Sequence, residues 1–146
     1  MKVVADTGPL FAAAHRSDSA HGLASAIVTA LGRDLIVLDS VIVEVDQLLR
    51  SRIGAPAGRG FLAALVAGEH TTTFLSPGIL GRAAEIDSRF ADLGLGLVDG
   101  SVMAYAERHE LPILTFDFEH FRAATPARGH WRLVVDEARD RDETGT

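Results

Sequence analysis

The chain has 146 residues, 47% of them hydrophobic and 23% charged, which is enough for one packed domain and leaves little room for a second. It has no cysteine, which excludes disulfides, thiolate metal sites and a cysteine nucleophile. Its net charge is −6 and no apolar run approaches the roughly 18 residues of a membrane helix. The opening MKVVAD meets a charge at Asp6 before an apolar signal core can develop, so a cytoplasmic protein without membrane contact is expected.

Residues 2–5 form a short β-branched run and read as a strand. It ends in Asp6-Thr7-Gly8-Pro9, where Asp or Thr can cap and Pro can open a helix. A short helix is expected over 10–15 and a longer one over 18–31, where Leu23, Ile27 and Leu31 recur at four-residue steps. Residues 35–38 (LIVL) read as a buried strand, and Asp39 or Ser40 caps a helix over 41–53. Gly54-Ala55-Pro56 breaks that helix, and 58–67 forms the next one. The Thr-rich segment 70–75 reads as a strand. Ser76-Pro77 starts a helix running to about residue 93, Gly94 and Gly96 form a loop, and 98–110 is helical. Strands are expected at 112–116 and 131–135. Residues 1–135 then form the folded domain. The tail 136–146, with five acids and two arginines, is expected to be disordered.

Short strands alternating with helices imply an α/β fold with a mostly parallel sheet between helical layers. Ligands of such folds bind beyond the carboxyl ends of the strands. Asp6 and Asp117 each follow a buried strand and therefore sit on that edge. Taken singly, each is equally a cap or a turn residue. Glu44 shares a helix face with Val41 and Leu48, where an unpaired carboxylate is costly. Asp99 shares one with Val102, Met103 and Ala106 and lies in a first turn, where the helix dipole favours an anion. No arginine is patterned to reach all four acids. Hard divalent cations, Mg²⁺ or Mn²⁺, answer the problem better, and such sites carry out phosphoryl chemistry. Net charge argues the other way, because phosphate contacts come from basic residues, of which Lys2 is the only lysine. Bound cations would cancel most of the −3 that remains once the tail, itself −3, is set aside.

VVADTGPL at 3–10, SVIVEV at 40–45 and LGLVDGSVMAYAERHELPILTFDFEHF at 95–121 resemble the PIN-domain family, and within it the VapC-type toxins of bacterial toxin–antitoxin pairs. The resemblance runs nearly end to end. It implies a PIN-like three-layer sandwich and a Mg²⁺- or Mn²⁺-dependent endoribonuclease acting on structured RNA, tRNA or rRNA. It carries metal and catalytic roles onto Asp6, Glu44, Asp99 and Asp117, and supporting hydroxyls onto Thr7 and Thr115. It also implies a homodimer silenced by a cognate antitoxin. Two positions depart from the family pattern: Gly8 stands where Ser is frequent, and Gly100, where Ala is frequent, is expected to loosen the first turn of its helix.

On this reading water attacks phosphorus and leaves 5′-phosphate and 3′-OH ends, with Arg16, Arg50 and Arg52 expected to hold the RNA backbone. The alternative is a catalytically inactive PIN-like module that only binds RNA or protein. The histidines at 15, 21, 70, 109, 120 and 130 show no ligand spacing and are expected at the surface. Apolar residues such as Phe61, Leu62 and Leu65 fit a dimer or antitoxin groove as well as they fit a core.

Overall fold

The structure, a computed structural model, describes residues 1–135. The expectation of a disordered acidic tail at 136–146 falls outside the described residues.

Four parallel strands form one sheet in the order β3-β2-β1-β4. The central strands β1 (Val3–Ala5) and β2 (Leu35–Leu38) are buried throughout. Both are unbroken apolar runs because helices cover both faces of the sheet. β1 pairs Val3 with Leu35 and Val4 with Ile36 on one side, and Val4 with Ile113 and Ala5 with Leu114 of β4 (Ile113–Leu114) on the other. The Thr-rich β3 (Thr71–Thr73) is the partly exposed edge and pairs only with β2. Its polar composition suits an edge that must not recruit another chain.

The helices are α1 (Thr7–Ala14), α2 (His21–Leu31), α3 (Asp39–Arg52), α4 (Ala55–Val66), α5 (Pro77–Arg89), α6 (Gly96–His109) and α7 (Phe118–Ala123). The chain steps from β1 to β2 to β3 in one direction and then crosses back over the sheet to β4. Crossovers of this kind are right-handed, so reversing direction moves the connecting helices to the opposite face. That places α1 to α4 on one face and α5 and α6 on the other. It also puts a topological switch point between β1 and β4, where the carboxyl ends of the strands open a crevice.

Several boundaries differ from the sequence-based expectations. The helix over 41–53 does end before Gly54, but the next helix starts at Ala55 instead of 58, with Pro56 in its first turn, which needs no donor from it. The helix expected to reach residue 93 stops at Arg89, Phe90 leaves helical geometry, and a 3₁₀ turn follows at Ala91–Leu93. The strand expected at 131–135 shrinks to a single parallel bridge between Ile113 and Leu133, beside a hydrogen bond from the Ile113 N–H to the Arg132 carbonyl at 2.8 Å. Beyond it, 134–135 turn helical, and β4 is too short to hold a longer partner. Gly100 does the opposite of loosening its helix. A Cβ there would lie 3.0 Å from the Ala83 carbonyl oxygen, so the missing side chain lets α6 pack directly against the α5 backbone.

Candidate active site

Asp6 sits at the N-cap position of α1, yet its side chain makes no capping hydrogen bond. Its N–H donates to the Leu114 carbonyl at 2.8 Å, which extends the β1–β4 pairing one residue past the strand. The carboxylate instead accepts a hydrogen bond from Thr115 Oγ1 at 2.7 Å, and both residues are buried. Thr115 Oγ1 in turn accepts from the Asp117 N–H at 3.0 Å. One buried hydroxyl therefore fixes the spacing of the two acids that end neighbouring strands.

Asp117 is both a cap and a member of the cluster. It is the N-cap of α7, a helix not anticipated from sequence, and its Oδ1 accepts from the His120 N–H at 3.2 Å. Its Oδ2 lies 2.8 Å from His120 Nδ1, which is also 3.1 Å from Asp99 Oδ2. Asp99 enters from the first turn of α6 and is half-buried. Glu44 enters from α3, also half-buried, close enough for its charge to act on Asp6. Ser40 and Ser101 join their hydroxyls at 2.8 Å and so pin the start of α3 to the start of α6, which sets the Glu44 and Asp99 helices relative to one another. Sequence reasoning missed this pair. The Ser101 position, buried on an otherwise apolar helix face, was its only signal.

The electrostatics follow from four acids around one crevice. Burial pushes the Asp6 carboxyl above its ordinary value, the Thr115 hydroxyl partly offsets this, and the charges of Asp117 and Glu44 push it further. Asp99 is pushed up to about 7, first by burial and then by Asp6 and Asp117, against the pull of His120. His120 is raised although burial alone would lower it, because Asp117 and Asp99 together favour its imidazolium. The upward shifts of Asp6 and Asp99 share a cause, negative charge gathered in a buried place, which a cation would neutralise.

The donor set fits a divalent cation. One oxygen each of Asp99 and Asp117 and a ring nitrogen of His120 lie within 4.8 Å of one another. Thr7 Oγ1, next to Asp6, is buried and has no hydrogen-bond partner. Such an orphan costs free energy unless water or an ion reaches it. His120, expected at the surface without ligand spacing, instead stands half-buried between Asp99 and Asp117. The Asp117-x-x-His120 spacing, one helical turn, was the readable signal.

Other expectations find different places. Arg50 is paired with Asp46 at 2.8 Å, and the Arg52 guanidinium lies 5.5 Å from the Phe11 ring centroid. They follow Glu44 along α3 by six and eight residues, roughly 9 and 12 Å beyond it along the helix axis. Arg16 is exposed just past α1. A separate groove of about 650 Å³, open to solvent and largely apolar, runs between α1, α2 and α4, where Leu10, Val28, Phe61 and Leu65 line it.

A family model described as PIN domain matches residues 3–125. The chain belongs to the PIN-domain family. A curated relative, Ribonuclease VapC26 of Mycobacterium tuberculosis, is 27% identical over 134 residues, covering 91% of this chain and 99% of the relative. Among solved structures, the PIN domain is similar in fold to VapC20 of M. tuberculosis, described as a Sarcin-Ricin loop cleaving toxin, with a TM-score of 0.76, 19% identity, and 84% of this chain and 95% of that one covered. It is also similar to VapBC2 from Rickettsia felis bound to a promoter DNA fragment, with a TM-score of 0.66, 11% identity, and 91% and 97% covered. FitAcB from Neisseria gonorrhoeae gives 0.60, 17%, and 84% and 92%. Among the described residues of this PIN domain, no helix is long and apolar enough to cross a membrane.

The PIN-domain position held by Gly8 is spacious. A Cβ there would meet only Phe116 Cβ, at 4.0 Å. Gly8→Ser is therefore expected to fold normally and gain up to about 0.5 kcal/mol from better helix propensity in α1. Thermal melting should show an unchanged or slightly raised midpoint, with cleavage within threefold of wild type. A tenfold loss of cleavage would mean that the glycine itself serves the site.

Proposed function

We propose that this PIN domain is a metal-dependent endoribonuclease of the VapC toxin type, hydrolysing structured RNA, tRNA or rRNA, to 5′-phosphate and 3′-OH ends. The observation that carries the reading is the convergence of Asp6, Glu44, Asp99 and Asp117 at the switch point between β1 and β4, with the carboxyls of Asp6 and Asp99 pushed above their ordinary range by burial and by the charge of their neighbours. A divalent ion, Mg²⁺ or Mn²⁺, would supply Lewis acidity and an acidified water there.

Asp6, Asp99 and Asp117 would hold the ion. Thr115 Oγ1 donates to the Asp6 carboxylate and accepts the Asp117 backbone N–H, so it holds the Asp6 carboxylate and the Asp117 main chain in place before substrate arrives. Glu44, on α3, would hold either a water on that ion or a second ion. Thr7 Oγ1, buried beside Asp6 and without a hydrogen-bond partner, is the second supporting hydroxyl of this reading. Arg16, Arg50 and Arg52 serve the RNA backbone further out. The homodimer and the cognate antitoxin belong to the same reading, and the groove between α1, α2 and α4 offers an apolar face for a protein partner.

The nucleophile is water, so the RNA 2′-OH is not needed and the end chemistry is diagnostic. Purified protein incubated with Mg²⁺ or Mn²⁺ and candidate tRNA and rRNA substrates should yield ligatable 5′-phosphate ends that EDTA suppresses. A 2′,3′-cyclic phosphate, or cleavage that survives EDTA, would refute the mechanism. A matched DNA of the same sequence measures preference for RNA.

A further inference from the structure

We propose that His120 is itself a ligand of the divalent cation, its Nδ1 joining one oxygen each from Asp99 and Asp117 in a mixed nitrogen–oxygen set that favours Mn²⁺ over Mg²⁺. The inference deepens the proposed function and rests on its reading that the carboxylate cluster binds a cation.

The geometry is that of a ligand set. His120 Nδ1 is 2.8 Å from Asp117 Oδ2 and 3.1 Å from Asp99 Oδ2. Adjacent ligand atoms about 2.1 Å from an octahedral ion lie about 3.0 Å apart, so both separations match neighbouring vertices of one coordination shell. A hydrogen bond accounts for this arrangement less well. Nδ1 carries at most one proton, and two carboxylate oxygens must share it. An ion on the open side of the three atoms satisfies all of them at once.

The local structure holds the nitrogen in place. Asp117 Oδ1 caps α7 by accepting the His120 N–H, which leaves Oδ2 for the ring side. The next residue, Phe121, is 2% exposed and anchors the six-residue helix in the core. His21 and His70 make quite different contacts: their Nδ1 atoms lie 2.9 Å from the Ala12 carbonyl and 2.8 Å from the Gly32 carbonyl. His109 lies against the Tyr105 ring. Of these histidines, His120 alone meets carboxylates.

The chemical consequence is selectivity. Mg²⁺ prefers an all-oxygen shell and releases its waters reluctantly. Imidazole suits the first-row transition ions, and affinity for a given nitrogen-containing site rises along that series. A site with one imidazole therefore discriminates among ions where four carboxylates alone would do so weakly.

The test uses the full chain and Mn²⁺ itself. Calorimetry gives Mn²⁺ and Mg²⁺ affinities for wild type, His120→Ala and His120→Gln. Pulsed electron paramagnetic resonance of the Mn²⁺-loaded proteins reads directly bound nitrogen, and ¹⁵N-histidine labelling of wild type identifies that nitrogen as histidine without any variant. The expected result is a histidine nitrogen coupling in wild type that both variants lose, and a Mn²⁺ to Mg²⁺ affinity ratio that falls at least tenfold. Wild type that binds Mn²⁺ with no nitrogen coupling overturns the ligand assignment and leaves the carboxylate site intact. So does a coupling that persists in both folded variants. Wild type that binds neither ion at millimolar concentration overturns the cation site, and the proposed function with it.

Discussion

Asp6→Asn is expected to remove at least about 10³ of the cleavage rate while leaving the metal-free protein as stable as wild type, or more so. The amide matches the carboxylate in size, and its oxygen can still accept the Thr115 hydroxyl bond that measures 2.7 Å in the native protein. What it loses is the charge. Asp6 lies in the most buried part of the cluster, where burial alone disfavours its ionised form and Asp117 and Glu44 repel it further. A neutral residue relieves that cost, so the site and the fold want different things at this position. Two measurements separate them: single-turnover cleavage of an RNA substrate, and thermal melting in EDTA at pH 8. Cleavage within tenfold of wild type would remove Asp6 from the catalytic set. A melting midpoint several degrees below wild type would show that the carboxylate serves the fold after all.

The second large effect is on stability as pH changes. Asp99 has its carboxyl raised from 3.8 to about 7 in the folded protein. The folded state therefore holds a proton that the unfolded chain has already released, and the associated stability is full below about pH 4 and is lost as pH rises through 7. Asp6 and His120 are shifted upward as well, so all three act in the same direction. Glu107, lowered by its ion pair with Arg82, has the opposite sign, but its contribution is lost only at acid pH, outside this window. Between pH 5.5 and 8 in EDTA, Asp99 alone gives an upper limit of about 2 kcal/mol, which its partial solvation reduces. The melting midpoint should fall by roughly 5 °C. Saturating Mn²⁺ or Mg²⁺ at pH 8 should reverse the loss, because an ion at 100 times its Kd contributes about 2.7 kcal/mol. Metal affinity should also rise with pH as the competing protons leave. A midpoint that is flat or rises from pH 5.5 to 8 without metal would contradict the raised Asp99 value.

Much of the site could be read from the sequence because it depends on quantities that are local along the chain. The apolar runs ending at Asp6 and near Asp117 announce buried strands, and in a parallel sheet all carboxyl ends lie on one edge, so both acids had to arrive on the same side. The helical spacing of Val41, Glu44 and Leu48, and of Asp99, Val102 and Met103, placed two more acids beside the core.

What the sequence could not decide is which neighbour each side chain finds, since periodicity records burial and not partners. Asp6 could cap α1 or face the crevice, and the outcome turned on Thr115, 109 residues away, which the β3-β2-β1-β4 order brings beside it. Gly100 looked like a weak point in its helix until α5 was seen lying against it. His120 carried no visible pattern beyond its spacing from Asp117, because the Asp99 that completes its contacts arrives from a different helix on the far side of a strand. By itself, the sequence determined the central strands, the helix faces and the four candidate acids. Only the tertiary structure decided their mutual distances, because those are set by how non-neighbouring elements pack together, and with them which hydroxyl, which glycine and which histidine the site uses.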